Sequence, residues 1–164
     1  MEAFVYSGLP SRVIFADGAR AKLAGEIGRL GASRVMVITT PNQKEDGEAL
    51  AATLGDLCAT VYSNATMHTP VTVTEDAMAV VARERIDCLV ALGGGSTIGL
   101  AKAIALRTDL PQIAIPTTYA GSEMTPILGQ TENGLKTTQR SMKVLPEVVI
   151  YDVDLTMSLP AGLS

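Results

Sequence analysis

Residues 87–102 read DCLVALGGGSTIGLAK and combine three structural signals in one stretch. The apolar run at 87–92 predicts a buried strand, and the residues at 96–107 predict a helix. Three glycines lie between them, although glycine favours neither a strand nor a helix. At a helix N-terminus the backbone N–H groups are free, and glycine lets a bulky anion come close to them. The turn is therefore either a pyrophosphate site or an ordinary tight turn, and in both cases Ser96 is the expected helix cap.

The rest of the chain alternates strands and helices around this unit. Two short strands at 3–6 and 12–16 predict an N-terminal β-hairpin. Further strands at 34–39, 58–63, 87–92, 112–116 and 147–151 alternate with helices at 17–31, 45–56, 72–86 and 96–107. This order predicts an α/β fold, a Rossmann-like doubly wound parallel sheet whose ligands bind at the carboxyl ends of the strands. After residue 117 we expect a loop and a turn-linked pair of short strands.

Composition excludes several classes of protein. A net charge of −4 and a pI near 5.0 argue against nucleic-acid binding, which needs concentrated Lys and Arg. No apolar run approaches the ~20 residues that cross a membrane, and no secretory signal is visible, so we expect a cytoplasmic protein. Cys58 and Cys88 lie in apolar runs without metal-ligand spacing, and we expect both to be reduced and buried.

A second polar cluster, IPTTYAGSE at 115–123, follows the strand after the glycines. Thr117, Thr118 and Ser122 should therefore emerge at the same sheet edge as the glycine turn. The cluster is either a connecting loop rich in hydroxyls or the second wall of a crevice for a long phosphorylated ligand.

Thr40, in VITTP at 37–41, ends another predicted strand. In dinucleotide-binding domains this place often carries the acid that binds the adenosine ribose. A neutral threonine would not repel a 2′-phosphate, so we expect NADPH to be accepted as well as NADH.

These stretches together resemble the iron-containing alcohol dehydrogenase superfamily, whose signature GGGSxxDxxK is matched at 93–102 except that Gly99 replaces Asp. PTT…GSE and VVIYDVDLTMSLP match the same pattern, and the form of residues 93–140 is similar to the maleylacetate reductase branch, which lacks that Asp. The resemblance implies hydride transfer from NADH or NADPH to maleylacetate, giving 3-oxoadipate in aromatic-compound degradation. It also implies a nucleotide-binding domain at 1–154, and 155–164 as the start of a linker to an all-helical domain that this chain lacks.

The resemblance also assigns site residues, and no metal is expected in this branch. The pyrophosphate would be bound by Gly94, Gly95, Ser96 and Thr97, the nicotinamide end by Thr117 and Thr118, the cofactor ribose by Lys136, and the adenosine by the segment from Leu155 to Leu159. Thr69 would border the nucleotide, and the catalytic groups would lie in the missing domain, so the isolated chain should bind nucleotide with little or no reductase activity.

For single side chains, roles other than cofactor binding or catalysis stay open. Lys102 is expected to be a surface helix lysine, and Lys136 can be a solvated turn lysine. His68 is expected on the surface or behind the site, and Glu123 is expected to be structural. A metal-dependent alcohol or aldehyde dehydrogenase and a non-catalytic nucleotide-binding domain are the alternative functions, and the N-terminal strands suggest a homodimer.

Overall fold

The computed structural model describes residues 8–132, 134–157, 159–160 and 162. Its strands are β1 (Arg12–Ala16), β2 (Val35–Ile38), β3 (Cys58–Tyr62), β4 (Cys88–Gly93), β5 (Gln112–Pro116), β6 (Ile127–Glu132), β7 (Leu135–Arg140) and β8 (Val148–Asp152). Its α-helices are α1 (Leu23–Arg29), α2 (Lys44–Leu54), α3 (Val71–Glu84) and α4 (Gly95–Thr108). Most predicted elements are present within two or three residues of the expected bounds. The helix expected at 17–31 is shorter, because its first turn is the 3₁₀ segment Ala19–Lys22.

Six strands form one parallel sheet in the order β1-β8-β5-β4-β2-β3. Both faces are covered, which is why the central strands are continuous apolar runs. Alternate residues of each strand point to opposite faces. Leu89 and Ala91 of β4 join the cluster packed under α3 and α4, whereas Val90 and Leu92 join the cluster packed under α1 and α2. This arrangement confirms the predicted α/β doubly wound fold.

The order of strands creates one topological switch point. Neighbouring strands β2 and β4 are followed by helices on opposite faces, since α2 packs on one face and α4 on the other. In open parallel sheets the ligand crevice lies outside the carboxyl ends of such a strand pair. Here that crevice lies between Thr40, just after β2, and the glycine turn, defined as residues 93–95, which joins the end of β4 to the start of α4.

Only the second strand of the predicted N-terminal hairpin falls within the described residues. Strand β1 pairs in parallel with β8 and is the outermost of the described strands on that side of the sheet. The expected partner strand at 3–6 lies outside the described residues. The turn-linked strand pair after residue 117 is present as the antiparallel hairpin β6–β7. None of the helices in the described part of the chain is long and apolar enough to cross a membrane.

Candidate functional site

Neighbouring side chains lie close to the backbone of the glycine turn. Gly93 has φ +148°, and a side chain there would place its Cβ 2.5 Å from Thr97 Oγ1 and 2.8 Å from Gln43 Oε1. A Cβ at Gly94 would lie 2.9 Å from Thr118 Oγ1. All three distances are below 3.0 Å, so a side chain at either position would force its neighbours to move, and at Gly93 the positive φ favours glycine as well.

The start of α4 differs from the prediction in one detail. The helix begins at Gly95 with Gly94 as N-cap, and no side chain caps it. Ser96, the predicted cap, therefore lies in the first turn of the helix. The cap position is already occupied by Gly94 of the glycine turn. Thr97 is fully buried and its Oγ1 has no hydrogen-bond partner among the described residues. The uncapped N–H groups of this 14-residue helix point toward the crevice.

Gln43 links the two sides of the switch point, and nothing in the sequence pattern had singled it out. Thr40 donates its hydroxyl hydrogen to Gln43 Oε1 at 3.2 Å, and Gln43 Nε2 donates to Thr117 Oγ1 at 3.2 Å. The backbone N–H of Thr117 also donates to Gly93 O at 3.1 Å. Thr40, Thr117 and the glycine turn are thereby connected in one hydrogen-bonded group.

Lys102 is buried, so the prediction of a surface lysine is wrong. Its side chain is 0 % exposed, and Nζ donates to the carbonyl oxygens of Ser122, Thr125 and Ile127 and to the hydroxyl of Thr125. Burial lowers the pKa of Lys102 to about 8, while the carboxylate of Glu123 acts in the opposite direction. The helical spacing alone could not reveal this, because the first acceptor, Ser122, lies 20 residues further along the chain in a loop.

Glu123 is also buried, at 3 % exposure, which agrees with the structural role expected for it. Tyr151 on β8 donates its hydroxyl to Glu123 Oε1 at 2.9 Å, and Glu123 Oε2 has no partner among the described residues. Burial and the adjacent carboxylate both raise the pKa of Tyr151, so the phenol stays protonated as a donor.

A cavity of about 260 Å³ opens between α4, the loop before α3 and the β6–β7 hairpin. Its walls include four of the predicted site residues: Thr69, Gly95, Ser96 and Lys136. Gly99 and Lys102 also line it, on the same face of α4 as Gly95. Exposed His68 lies at its margin, as expected for a surface residue.

Gly99 and Thr69 make a close contact in that cavity. A Cβ at position 99 would lie 2.5 Å from Thr69 Oγ1. Thr69 is 4 % exposed and has φ +44°, and His68 before it has φ +65°. Positive φ is costly for a β-branched residue, so this turn is held in place by its surroundings. Thr131 contributes by donating its backbone N–H to Thr69 O at 3.4 Å.

A second cavity, of about 680 Å³, lies on the other face of the sheet between α1 and α2. Its lining is mainly apolar and includes Leu155, Leu92 and Leu50, with Arg20 and Asp46 among the polar residues. Leu155 thus lies apart from the smaller cavity, and Leu159 lies outside both cavities. The two cavities therefore lie on opposite faces of the sheet.

The next feature is the placement of the side chains that could bind a metal ion and of the two cysteines. Within residues 8–132, 134–157, 159–160 and 162, no three His, Cys, Asp or Glu side chains form a cluster that could hold a metal ion. The described part of the chain thus offers no donor set for iron. Both cysteines are free, as expected, although Cys58 is half-buried instead of buried.

Comparison with known proteins gives a consistent result. The family model described as iron-containing alcohol dehydrogenase matches residues 10–153. The chain is 62% identical to a maleylacetate reductase of Rhizobium sp. (strain MTP-10005) over 164 residues, which is 100% of this chain and 47% of the relative. It is 58% identical to a maleylacetate reductase of Sphingobium indicum, covering 98% of this chain and 46% of that protein.

A solved structure shows the same similarity. The crystal structure of maleylacetate reductase from Agrobacterium tumefaciens superimposes with a TM-score of 0.96 at 60% identity, covering 100% of this chain and 47% of that one. The chain therefore spans about half the length of the relatives it matches.

Proposed function

Because this chain belongs to the iron-containing alcohol dehydrogenase family, we propose that it binds NADH or NADPH as the cofactor-binding half of a maleylacetate reductase. The reaction is the reduction of maleylacetate to 3-oxoadipate in aromatic-compound degradation. When bound, the cofactor supplies the hydride, and the residues of this chain bind and orient it. We place the domain at residues 1–154, with 155–164 leading to a further helical domain.

The observation that carries this proposal is the start of α4 at the switch point, a helix N-terminus without a side-chain cap that follows a tight glycine turn. Neither Gly93 nor Gly94 has room for a side chain, and the helix N-terminus above them is uncapped. The buried hydroxyl of Thr97 lacks a partner among the described residues, close to the start of α4. Free N–H groups, a positive helix dipole and a spare hydroxyl suit a pyrophosphate.

The two cavities suit the two ends of a dinucleotide bound across the switch point. The apolar cavity with Leu155 would take the adenosine, with Leu159 further along the same segment. Thr117 and Thr118 would contact the nicotinamide end, and Lys136 and Thr69 would border its ribose in the smaller cavity. Gly94, Gly95, Ser96 and Thr97 would hold the pyrophosphate between them.

Thr40 supports acceptance of both cofactors. It lies just after β2 with its hydroxyl bonded to Gln43, and no carboxylate occupies this position. A neutral side chain neither binds the adenosine 2′-hydroxyl as strongly as an acid nor repels a 2′-phosphate. NADH and NADPH should therefore bind with affinities that differ by less than about tenfold, which corresponds to about 1.4 kcal/mol.

Binding is tested by calorimetric titration of this chain with NADH and NADPH, comparing wild type with Gly95→Val. Gly95 lines the smaller cavity at the first position of α4, so a valine would enter the ligand space. Gly25→Val is the matched control, since Gly25 is an exposed helical glycine with nothing within 4 Å of a new Cβ. Equal affinities of wild type and Gly95→Val would refute the site.

The proposal also includes the activity and the location of the protein. We propose a cytoplasmic enzyme without a metal, in which the catalytic groups lie outside this chain. The isolated chain should therefore bind NADH but not oxidise it when maleylacetate is added, and turnover typical of dehydrogenases would contradict this.

We also propose a homodimer. Among the described strands β1 is the outermost on its side of the sheet, and it exposes Val13 and Phe15, at 46% and 73% of their surface. An edge strand with apolar side chains favours pairing with another chain. Light scattering after size-exclusion chromatography measures the mass, and a monomer at high concentration would contradict the proposal.

A further inference from the structure

Lys102 lies beneath the loop that follows β5. The loop leaves the sheet at Thr117 and reaches β6 at Ile127. Its first end is tied to the glycine turn by the bond from Thr117 N to Gly93 O. Its second end surrounds Lys102 Nζ with three carbonyl oxygens and one hydroxyl. Between the two ends, Tyr119 is exposed and Gly121 has φ +74°, so that stretch has little support of its own.

Lys102 Nζ supplies the donors that the acceptors of this environment need. Three backbone carbonyls of one loop converge on a single point, and their dipoles would repel one another without a cation or donor between them. Lys102 reaches the point from α4 because its apolar stem is enclosed by the helix and the cavity wall. The same helix face carries Gly95 and Gly99. One helix face thus holds the glycine turn at its start and the loop seven residues later.

We propose that Lys102 is a positioning residue, whose ammonium fixes the 117–127 loop over the glycine turn and thereby sets the affinity for the nicotinamide end of the dinucleotide. The inference rests on the proposed function, since it assumes that Thr117 and Thr118 on this loop meet that end. A loop held in its bound position before ligand arrives loses less conformational entropy on binding. The adenosine and pyrophosphate ends, bound by other elements, should not depend on Lys102.

The test compares two ligands on one variant. Lys102→Met keeps an unbranched apolar stem and removes every donor. ADP carries the adenosine and the pyrophosphate but not the nicotinamide half. We expect Lys102→Met to weaken NADH binding by about tenfold and to change ADP binding by less than about twofold. Lys143→Met is the control, because Lys143 is half-exposed and its ammonium lies 3.5 Å from Asp109 in a surface ion pair.

A readout without ligand accompanies the titrations. Amide hydrogen exchange in peptides covering 117–127 should be about tenfold faster in Lys102→Met than in wild type, while peptides of β4 and β5 keep their protection. If Lys102→Met does not fold, Thr125→Val removes the hydroxyl that accepts from Lys102 and itself donates to Ser122 O, and Thr125→Ser, which keeps both bonds, is its control. Thr125→Val alone should shift the same two readouts in the same direction by about twofold.

The outcomes separate the two proposals. Unchanged NADH affinity in a folded Lys102→Met chain, or equal losses for NADH and ADP, would overturn the positioning role while leaving nucleotide binding intact. Failure of the wild-type chain to bind NADH, NADPH and ADP would overturn the proposed function. In that case unchanged loop exchange in the folded variant would overturn the role of Lys102 as well.

Discussion

Replacing Gly99 with alanine should destabilise the chain, although alanine normally stabilises a helix. Gly99 is buried in the middle of α4, and an alanine Cβ would lie 2.5 Å from Thr69 Oγ1. Thr69 cannot move away easily, because it is 4 % exposed, β-branched and held at φ +44°. The new methyl group therefore overpacks the contact between α4 and the loop before α3.

The expected size follows from two opposing effects. In a helix interior alanine is favoured over glycine by about 0.8–1 kcal/mol. Overpacking of a rigid contact costs about 1–3 kcal/mol, so Gly99→Ala should lower the free energy of unfolding by about 1 kcal/mol. Gly25→Ala is the control, since Gly25 is also helical and a Cβ there has nothing within 4 Å. That variant should gain about 0.5–1 kcal/mol.

A double-mutant cycle isolates the contact. Thr69→Ala removes the hydroxyl, after which a methyl group at position 99 would lie 3.8 Å from the Cβ of residue 69, an ordinary contact. Gly99→Ala should then be tolerated, with a coupling energy of about 1–2 kcal/mol between the two substitutions. Urea unfolding followed by far-UV circular dichroism measures all four chains. A gain in Gly99→Ala equal to that in Gly25→Ala, or additive effects in the cycle, would refute the reasoning.

Three further outcomes follow from buried groups. Burial lowers the pKa of Lys102 from 10.5 to about 8, so keeping its ammonium out of water costs stability below pH 8, and this cost disappears as the pH rises toward 10.5, while Nζ stays a hydrogen-bond donor in both forms. The unfolding free energy of wild type minus that of Lys102→Met should rise by about 3 kcal/mol over this range in urea titrations. Tyr151→Phe removes the donor to Glu123 Oε1 and should cost about 1–3 kcal/mol in the same assay, and no loss would contradict the buried bond. Burial raises the pKa of the Cys88 thiol to about 12, so iodoacetamide at neutral pH should label Cys58 first by mass spectrometry, and equal labelling would contradict this order.

The order of the elements could be predicted because each signal is local. The apolar run 87–92 and the glycines after it depend only on neighbouring residues, and β4 and α4 appear within one residue of their predicted bounds. The pairing of β1 with β8 could not be predicted in this way. It joins residues about 136 positions apart, near opposite ends of the chain, and no local signal connects the two strands.

The site was only partly predictable for the same reason. Hydroxyls that directly follow strands, such as Thr40 and Thr117, can be placed at the sheet edge from the strand pattern alone. Gln43 and Lys102 carry no such pattern, because what matters is the partner that the fold brings to them. The nearest signal for Gln43 was its position three residues after Thr40, in the short segment that starts α2. For Lys102 it was the apolar helix around it, whose residues from Ile98 to Ala105 are all buried. A lysine in a helix that is apolar all round should be expected to be buried with partners.

Gly99 shows why a departure from a family pattern has to be considered together with its surroundings. Where the family signature has Asp, this chain has a glycine and, against it, the hydroxyl of Thr69. The space of the missing carboxylate is therefore partly taken by a neutral hydroxyl from another loop, so the loss of a negative charge and the gain of a contact belong to one change. Gly99→Asp alone would introduce the charge into a position that Thr69 already restricts. Room for that carboxylate would need a smaller residue at position 69 as well, so the pair, and not Gly99 alone, would have to be changed in this chain.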